Sequence, residues 1–204
     1  MTENDPSRRQ QILDAALKVF SHKGFASATI KDIAKEAGLK SPALIYWYFP
    51  NKQELLVSIL MELVPILQQV ATSPQTLMEQ PPEETLMMLA QSFMKVFGTP
   101  LGGQMLRIFL SDIGHAPELE ERVAGVQKMM LTFFSAYLQR QIDLGRLRPC
   151  DTQSAARIFI GSLLAYVMSS EVFHWLREGL ADPQIYARQA VETFLEGMRV
   201  RSDE

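Results

Sequence analysis

The sequence predicts an all-α chain, with a small N-terminal head of three helices joined to a larger C-terminal helical bundle. Three observations predict it. No stretch alternates apolar and polar residues with the two-residue period of a strand. Apolar positions recur instead at steps of four and three, as in Leu119, Val123, Val126, Met130, Phe133 and Tyr137. Stop and start signals, Gly or Pro beside Ser, Thr, Asp or Asn, cut the chain into segments of helical length. With 204 residues, 47% of them hydrophobic, the chain can bury a substantial core.

Asp5 as N-cap with Pro6 behind it opens the first helix, which carries Ile12, Leu13, Ala16, Leu17 and Phe20 on one face and runs to about Ser21. His22 and Lys23 follow at its C-terminal end, where positive charge is favoured. Thr29 caps the second helix, with Asp32 in the place of a capping-box acid and Ile30, Ile33, Ala34 and Ala37 as its apolar face. Gly38 ends it, because glycine tolerates the left-handed turn after a helix, and Leu39 is placed to cover the end. Ser41 then caps a third helix that starts at Pro42 and is stopped by Pro50. It contains Leu44, Ile45, Tyr46, Trp47, Tyr48 and Phe49, more apolar surface than one short helix can hide. Asn51 opens the next helix, with Glu54 three residues on.

Two short helices, a tight Gly-containing turn and a polar start to the second helix suit a major-groove reader, although any small bundle can contain such a pair. The exact residues are more specific. Thr29-Ile30-Lys31-Asp32-Ile33-Ala34, Ala37-Gly38-Leu39 and Tyr46-Trp47-Tyr48-Phe49-Pro50-Asn51-Lys52-Gln53-Glu54-Leu55 closely resemble the DNA-binding domain of the TetR (tetracycline repressor) family. Ile12, Ala15, Ala16, Phe20, Gly24 and Phe25 fit the preceding helix of that pattern, so the resemblance covers about the first quarter of the chain. In one departure, the stretch from Gly38 to Tyr46 is a residue longer than the family's common spacing, and Pro42-Ala43 stands where a small residue or Gly is usual.

The resemblance implies a helix-turn-helix DNA-binding domain over residues 1–52 and an effector-binding and dimerisation domain over 53–204. It also implies that the helix from Pro42 to Phe49 enters the major groove while Thr29 and Lys52 hold phosphates at its flanks. Lys40, Ser41, Pro42, Ala43, Tyr46 and Trp47 are the candidates for the groove, with Leu44, Ile45 and Phe49 inward. Charge agrees in sign: residues 1–52 hold eight lysines and arginines against five acids, a balance of +3 that leaves −6 for the rest.

Beyond Lys52 the helix continues through Leu63, and Pro65 falls inside it, where a proline kinks or ends a helix. Thr72-Ser73-Pro74 and Gln80-Pro81-Pro82 bracket a loop or broken segment. Helices are then expected from Glu83 to Phe97, Leu101 to Ile113, Pro117 to Leu144, Asp151 or Thr152 to about Leu176, and Asp182-Pro183 onward. Ile158, Ser162, Ala165 and Ser169 form a stripe of mostly small residues, and the final helix offers Ala187, Ala190, Val191, Phe194 and Met198. Since a helix-turn-helix reader gains affinity from two half-sites, and the last two helices form the dimer bundle in the resembling family, a homodimer through these helices is expected.

The middle helices are rich in soft and aromatic side chains, which are usually core. The resemblance implies an effector pocket among them. Phe93, Phe97, Met105, Phe109, Met130, Phe133, Phe134, Tyr137 and Tyr166 are its candidates, and the ligand is expected to be a hydrophobic or amphipathic small molecule. The rival class is a metal-dependent helical-bundle enzyme using Asp112 with His115 and Glu171 with His174, each pair one turn apart. Di-metal bundles need two Glu-x-x-His motifs and two further glutamates, and this chain has one such motif, so no metal, catalytic residue or cofactor is expected. No phosphate-cradling glycine loop or nucleophile elbow is present. Cys150 is the only cysteine, which excludes an internal disulfide. The polar N-terminus carries no signal peptide and no run reads as a membrane span, so a cytoplasmic regulator of transcription, most simply a repressor, is expected.

Overall fold

The computed structural model describes residues 6–63, 74–99 and 117–200, with single positions at 70, 72, 102, 103 and 106. All regular structure among the described residues is helical. The chain divides into two compact units, residues 1–63 with 104–124 and residues 64–103 with 125–204.

In the first unit α1 (Pro6–Lys23) is the scaffold, packing on α2 (Ile30–Glu36) and α4 (Lys52–Leu63), with the single-turn α3 (Ala43–Tyr46) between them in sequence. Ile12, Ala16 and Phe20 of α1, Ile33 of α2, Ile45 of α3 and Leu55 of α4 are buried together as its core. α1 extends two residues past the expected Ser21, to Lys23, and Gly24 at φ +77° ends it. The expected cap Asp5 lies outside the described residues.

The second unit contains α5 (Pro74–Met78), α6 (Pro82–Phe97), most of α7 (Pro117–Asp143), α8 (Thr152–Val167) and α9 (Pro183–Met198). The segment expected to be a loop or broken is thus partly helical at α5, where Leu77 is buried and anchors it. α9 packs chiefly on α6, and α8 on both. Aromatic side chains join them: Phe134 meets Phe159, and Phe159 meets Phe194, with ring centroids 5.5 and 5.1 Å apart. α7 ends at Gly145, φ +68°, where the N–H of Arg146 bonds Gln141 O and that of Gly145 bonds Ile142 O.

The helix expected to run to Leu176 changes character. After Val167 it widens into a π-helical turn over Met168–Val172 and then a 3-10 turn over His174–Leu176. The stretch Thr152–Val172 is also long and apolar enough to cross a membrane, which corrects the expectation that no run is. Phe159, Leu163, Tyr166 and Val167 on it are buried within the second unit, as in a core helix. Pro65, and the helix expected over 101–113 apart from positions 102, 103 and 106, lie outside the described residues.

Candidate nucleic-acid interface

The candidate surface is built on backbone devices in α2 and the turn after it. Thr29 Oγ1 accepts from the Asp32 N–H while the Asp32 carboxylate accepts from the Thr29 N–H, both at 3.1 Å, closing the capping box. Lys23 Nζ adds an ion pair to Asp32 at 2.6 Å. Its hydrogen bond, with those from the Thr29 hydroxyl and backbone, holds the Asp32 carboxyl down at about 2. At the other end of α2, Leu39 N–H reaches Ala34 O at 2.8 Å and Gly38 N–H reaches Lys35 O at 3.1 Å, with Gly38 at φ +62°. Gln11 of α1 donates to Ala37 O at 2.8 Å, so the turn is fixed from both sides.

α3 is shorter than the expected Pro42–Phe49 span. Ser41 Oγ accepts from the Ala43 N–H at 3.2 Å, as a cap should, but regular α geometry ends at Tyr46. The N–H groups of Tyr48 and Phe49 both turn in on Ile45 O, tightening the last turn ahead of Pro50. Ile45 and Phe49 are buried and Leu44 half-buried, while Tyr46 is 53% and Trp47 67% exposed. Lys40 and Ala43 are also exposed and Ser41 and Pro42 half-buried, so the groove candidates lie together on one short stretch of surface. Lys31 and Lys35 of α2 stand exposed as well; the sequence reading did not single them out, because helix period separates inward from outward positions without naming which outward charges face a ligand.

The flanking residues are engaged within the protein. Thr29 has its hydroxyl in the capping box, where it also donates to Asp32 at 2.7 Å. Asn51 Oδ1 caps α4 through the Glu54 N–H at 2.7 Å. Lys52 turns its ammonium onto Phe25 O, Ala26 O and Ala28 O at 2.5, 3.2 and 2.9 Å, above the Phe25 ring at 4.4 Å from its centroid. Three N–H donors meet three carbonyls, tying the start of α4 to the α1–α2 loop.

In the second unit the aromatic candidates for an effector divide by burial. Phe133, Phe134 and Tyr137 are buried against one another, and the Tyr137 hydroxyl donates to Gln80 O at 3.0 Å. Burial pushes that phenol up to about 12. Tyr166 is buried beside Tyr186 and donates to Ala181 O at 2.8 Å. Phe93 and Phe97, with ring centroids 4.9 Å apart, and Met130 are half-buried. Met105 and Phe109 lie outside the described residues, as do Asp112, His115 and the side chain of His174. Glu171 is buried in the π-helical turn, with Arg177 3.5 Å away and Gly103 so close that a Cβ there would overlap the carboxylate side chain.

The last two helices enclose a groove of about 630 Å³ between α8 and α9. Phe159, Phe194 and Met198 line its depth, Ile158 and Ala190 its walls, and Arg148, Cys150 and Asp151 one end. Burial pushes the Cys150 thiol up. The expected stripe on α9 divides: Ala187, Val191 and Met198 are buried, whereas Ala190 and Phe194 are half-buried; Ile185, outside the stripe, is 61% exposed. On α8, Ile158 is 67% exposed beside exposed Gly161 and Ala165.

Residues 12–59 match the family model for bacterial regulatory proteins of the tetR family, and residues 84–197 that for the C-terminal domain of AefR-like transcriptional repressors. The chain is 29% identical to the HTH-type transcriptional regulator BetI of Agrobacterium fabrum over 204 residues, 97% of this chain and 94% of that protein. Its fold matches that of the fatty acid degradation regulator FadR from Bacillus halodurans, with TM-score 0.71 and 23% identity over 97% of this chain and all of the other. It also matches SmeT, the repressor of a Stenotrophomonas maltophilia multidrug efflux pump, in complex with triclosan: TM-score 0.74 and 24% identity over 96% of this chain and 93% of the other. A capped helix pair with a short exposed aromatic stretch, and family matches over both ends of the chain, carry one conclusion: the protein belongs to the TetR family of ligand-responsive, DNA-binding transcriptional regulators, and is not an enzyme.

Proposed function

We propose that the chain acts in the cytoplasm as a homodimeric repressor, released from its operator by a hydrophobic or amphipathic small molecule. The observation that carries the DNA side is the pairing of exposed Tyr46 and Trp47 with buried Ile45 and Phe49 on a stretch fixed by caps before and behind it. Such a stretch presents side chains to base edges without having to reorganise. Lys40, Ser41, Pro42, Ala43, Tyr46 and Trp47 are the groove contacts in this reading. Thr29 and Lys52 serve its phosphate flanks by fixing the ends of the elements there.

The effector reading rests on half-buried Phe93, Phe97 and Met130 and on the aromatic cluster of Phe133, Phe134 and Tyr137, and the triclosan carried by SmeT supports an apolar ligand. The dimer reading rests on the exposed apolar face of α8 and α9. Effector binding shifts the dimer toward a state whose heads no longer match two half-sites, by its difference in affinity for the two states. Genomic fragments selected by the purified protein test the whole reading. Tyr46→Ala and Trp47→Ala are each expected to weaken binding to the selected operator by about 1–3 kcal/mol with an unchanged circular dichroism melt. Full affinity in both variants would move the reading surface elsewhere.

A further inference from the structure

We propose that the turn carrying Trp175 is the anchor by which one copy of this chain grips the α8–α9 groove of a second copy. The inference rests on the homodimer reading above and names the contact that holds it. Trp175 sits on the 3-10 turn after α8 and is 76% exposed, with Leu176 beside it 50% exposed. Phe173 packs on its ring at 5.0 Å between centroids, which holds the indole outward. A tryptophan left this far in water forgoes the burial that its large ring otherwise gains, and tryptophan is the residue most enriched among interface anchors.

The groove is the complementary feature. It is open, apolar along Ile158, Phe159, Ala190 and Phe194, and larger than one indole requires. Spacing relates the two. In a two-fold dimer each patch must fit itself, with the turn of one copy on the groove of the other and the reverse. Gly161 is exposed with open space above it, so α8 can cross its own copy closely there. From that crossing point the groove end at Asp151 and the turn beyond Val172 lie about 15 Å away in opposite directions, at 1.5 Å per helical residue. An antiparallel crossing at Gly161 therefore lays each Trp175 turn over the end of the other copy's groove that Arg148, Asp151 and Gly197 line.

Charge fits the same exchange. Arg177 and Glu178 follow Trp175 and are exposed, while the groove end carries exposed Arg148 and Asp151. Arg177, which lies 3.5 Å from Glu171 of its own chain and stays largely exposed, is brought toward Asp151 of the partner subunit, and Glu178 toward Arg148 of the partner subunit, so both facing charges are of opposite sign.

The test uses the two tryptophans of the chain. Trp47→Phe leaves Trp175 as the only indole, and its emission is read together with sedimentation across a dilution series. A dimer at high concentration with blue-shifted emission, shifting red as dilution yields monomer, is the expected result. In the unaltered background Trp175→Ala, and separately Gly197→Arg at that end of the groove, should each weaken dimerisation by about 30-fold or more, the size expected of an interface anchor. Monomer helicity should be unchanged in both. A stable dimer whose Trp175 emits as a hydrated indole, or one insensitive to either substitution, overturns the anchor and leaves the dimer reading standing. A monomer at every concentration removes both.

Discussion

Lys52, proposed for the phosphate flank, is already engaged within the protein. Its ammonium is held by three carbonyls and an aromatic face, so moving it to a phosphate would leave Phe25 O, Ala26 O and Ala28 O without their donor. Lys52→Met is accordingly expected to lower operator affinity by loosening the α1–α2 loop, while the slope of log affinity against log salt stays the same. A true phosphate contact would take about one unit from that slope, so titrations at several salt concentrations separate the roles. Asp32 offers a second test at this scale. Its folded carboxyl lies at about 2, below the unfolded value, so its contribution to stability is complete above about pH 4 and is lost as pH falls toward 2. Asp32→Asn should flatten that part of the acid-unfolding profile. Tyr137 works at the opposite extreme: its phenol is raised to about 12, so the stability it confers is complete below about pH 10 and lost above it. Tyr137→Phe should remove that alkaline loss and cost about 1–2 kcal/mol at neutral pH through the unmatched Gln80 carbonyl.

At the scale of elements, the turn between α2 and α3 depends on Gly38. A Cβ there would meet nothing within 4 Å, so Gly38→Ala carries only the conformational cost of φ +62°. About 1 kcal/mol of lost stability is expected in a denaturant melt, with no change in packing. Such devices were legible in the sequence because they are local: the Thr29/Asp32 box, the Gly38 stop, the Ser41, Asn51, Asp151 and Asp182 caps all follow from neighbours within a few residues. What was not legible is set at long range. Lys52 reads as a phosphate contact at a helix start because the carbonyls that hold it lie more than twenty residues earlier. The length of α3 depends on how Ile45 and Phe49 seat in the core, and the π-helical turn after Val167 carries no sequence mark. The stripe expected on α9 was split for the same reason, since Ala187 and Val191 are apolar enough for either a partner or the interior.

For the whole molecule, the homodimer proposed above links the charge split along the chain to the exposed face of α8 and α9. A basic head gathers phosphate at one end only, and a dimer that pairs two such heads reads two half-sites in a fixed phase. Inserting about five base pairs, half a helical turn, between the half-sites of the selected operator should reduce binding to the level of a single half-site. About ten inserted base pairs restore the phase, and the comparison of the two inserts in a mobility-shift assay reads the rigidity with which the body spaces its heads.

The brevity of α3 has a consequence for how this regulator can change. Four helical residues lie well below the length at which a helix persists alone, so the reader takes its shape from Ile45 and Phe49 and from the caps around it. The residues it shows to solvent, Ala43, Tyr46 and Trp47, contribute little to that shape. With those three as proposed groove contacts, operator preference would be free to drift at three positions while the fold is set at two others. A library varied at 43, 46 and 47 alone would sample new binding sites on an unchanged scaffold.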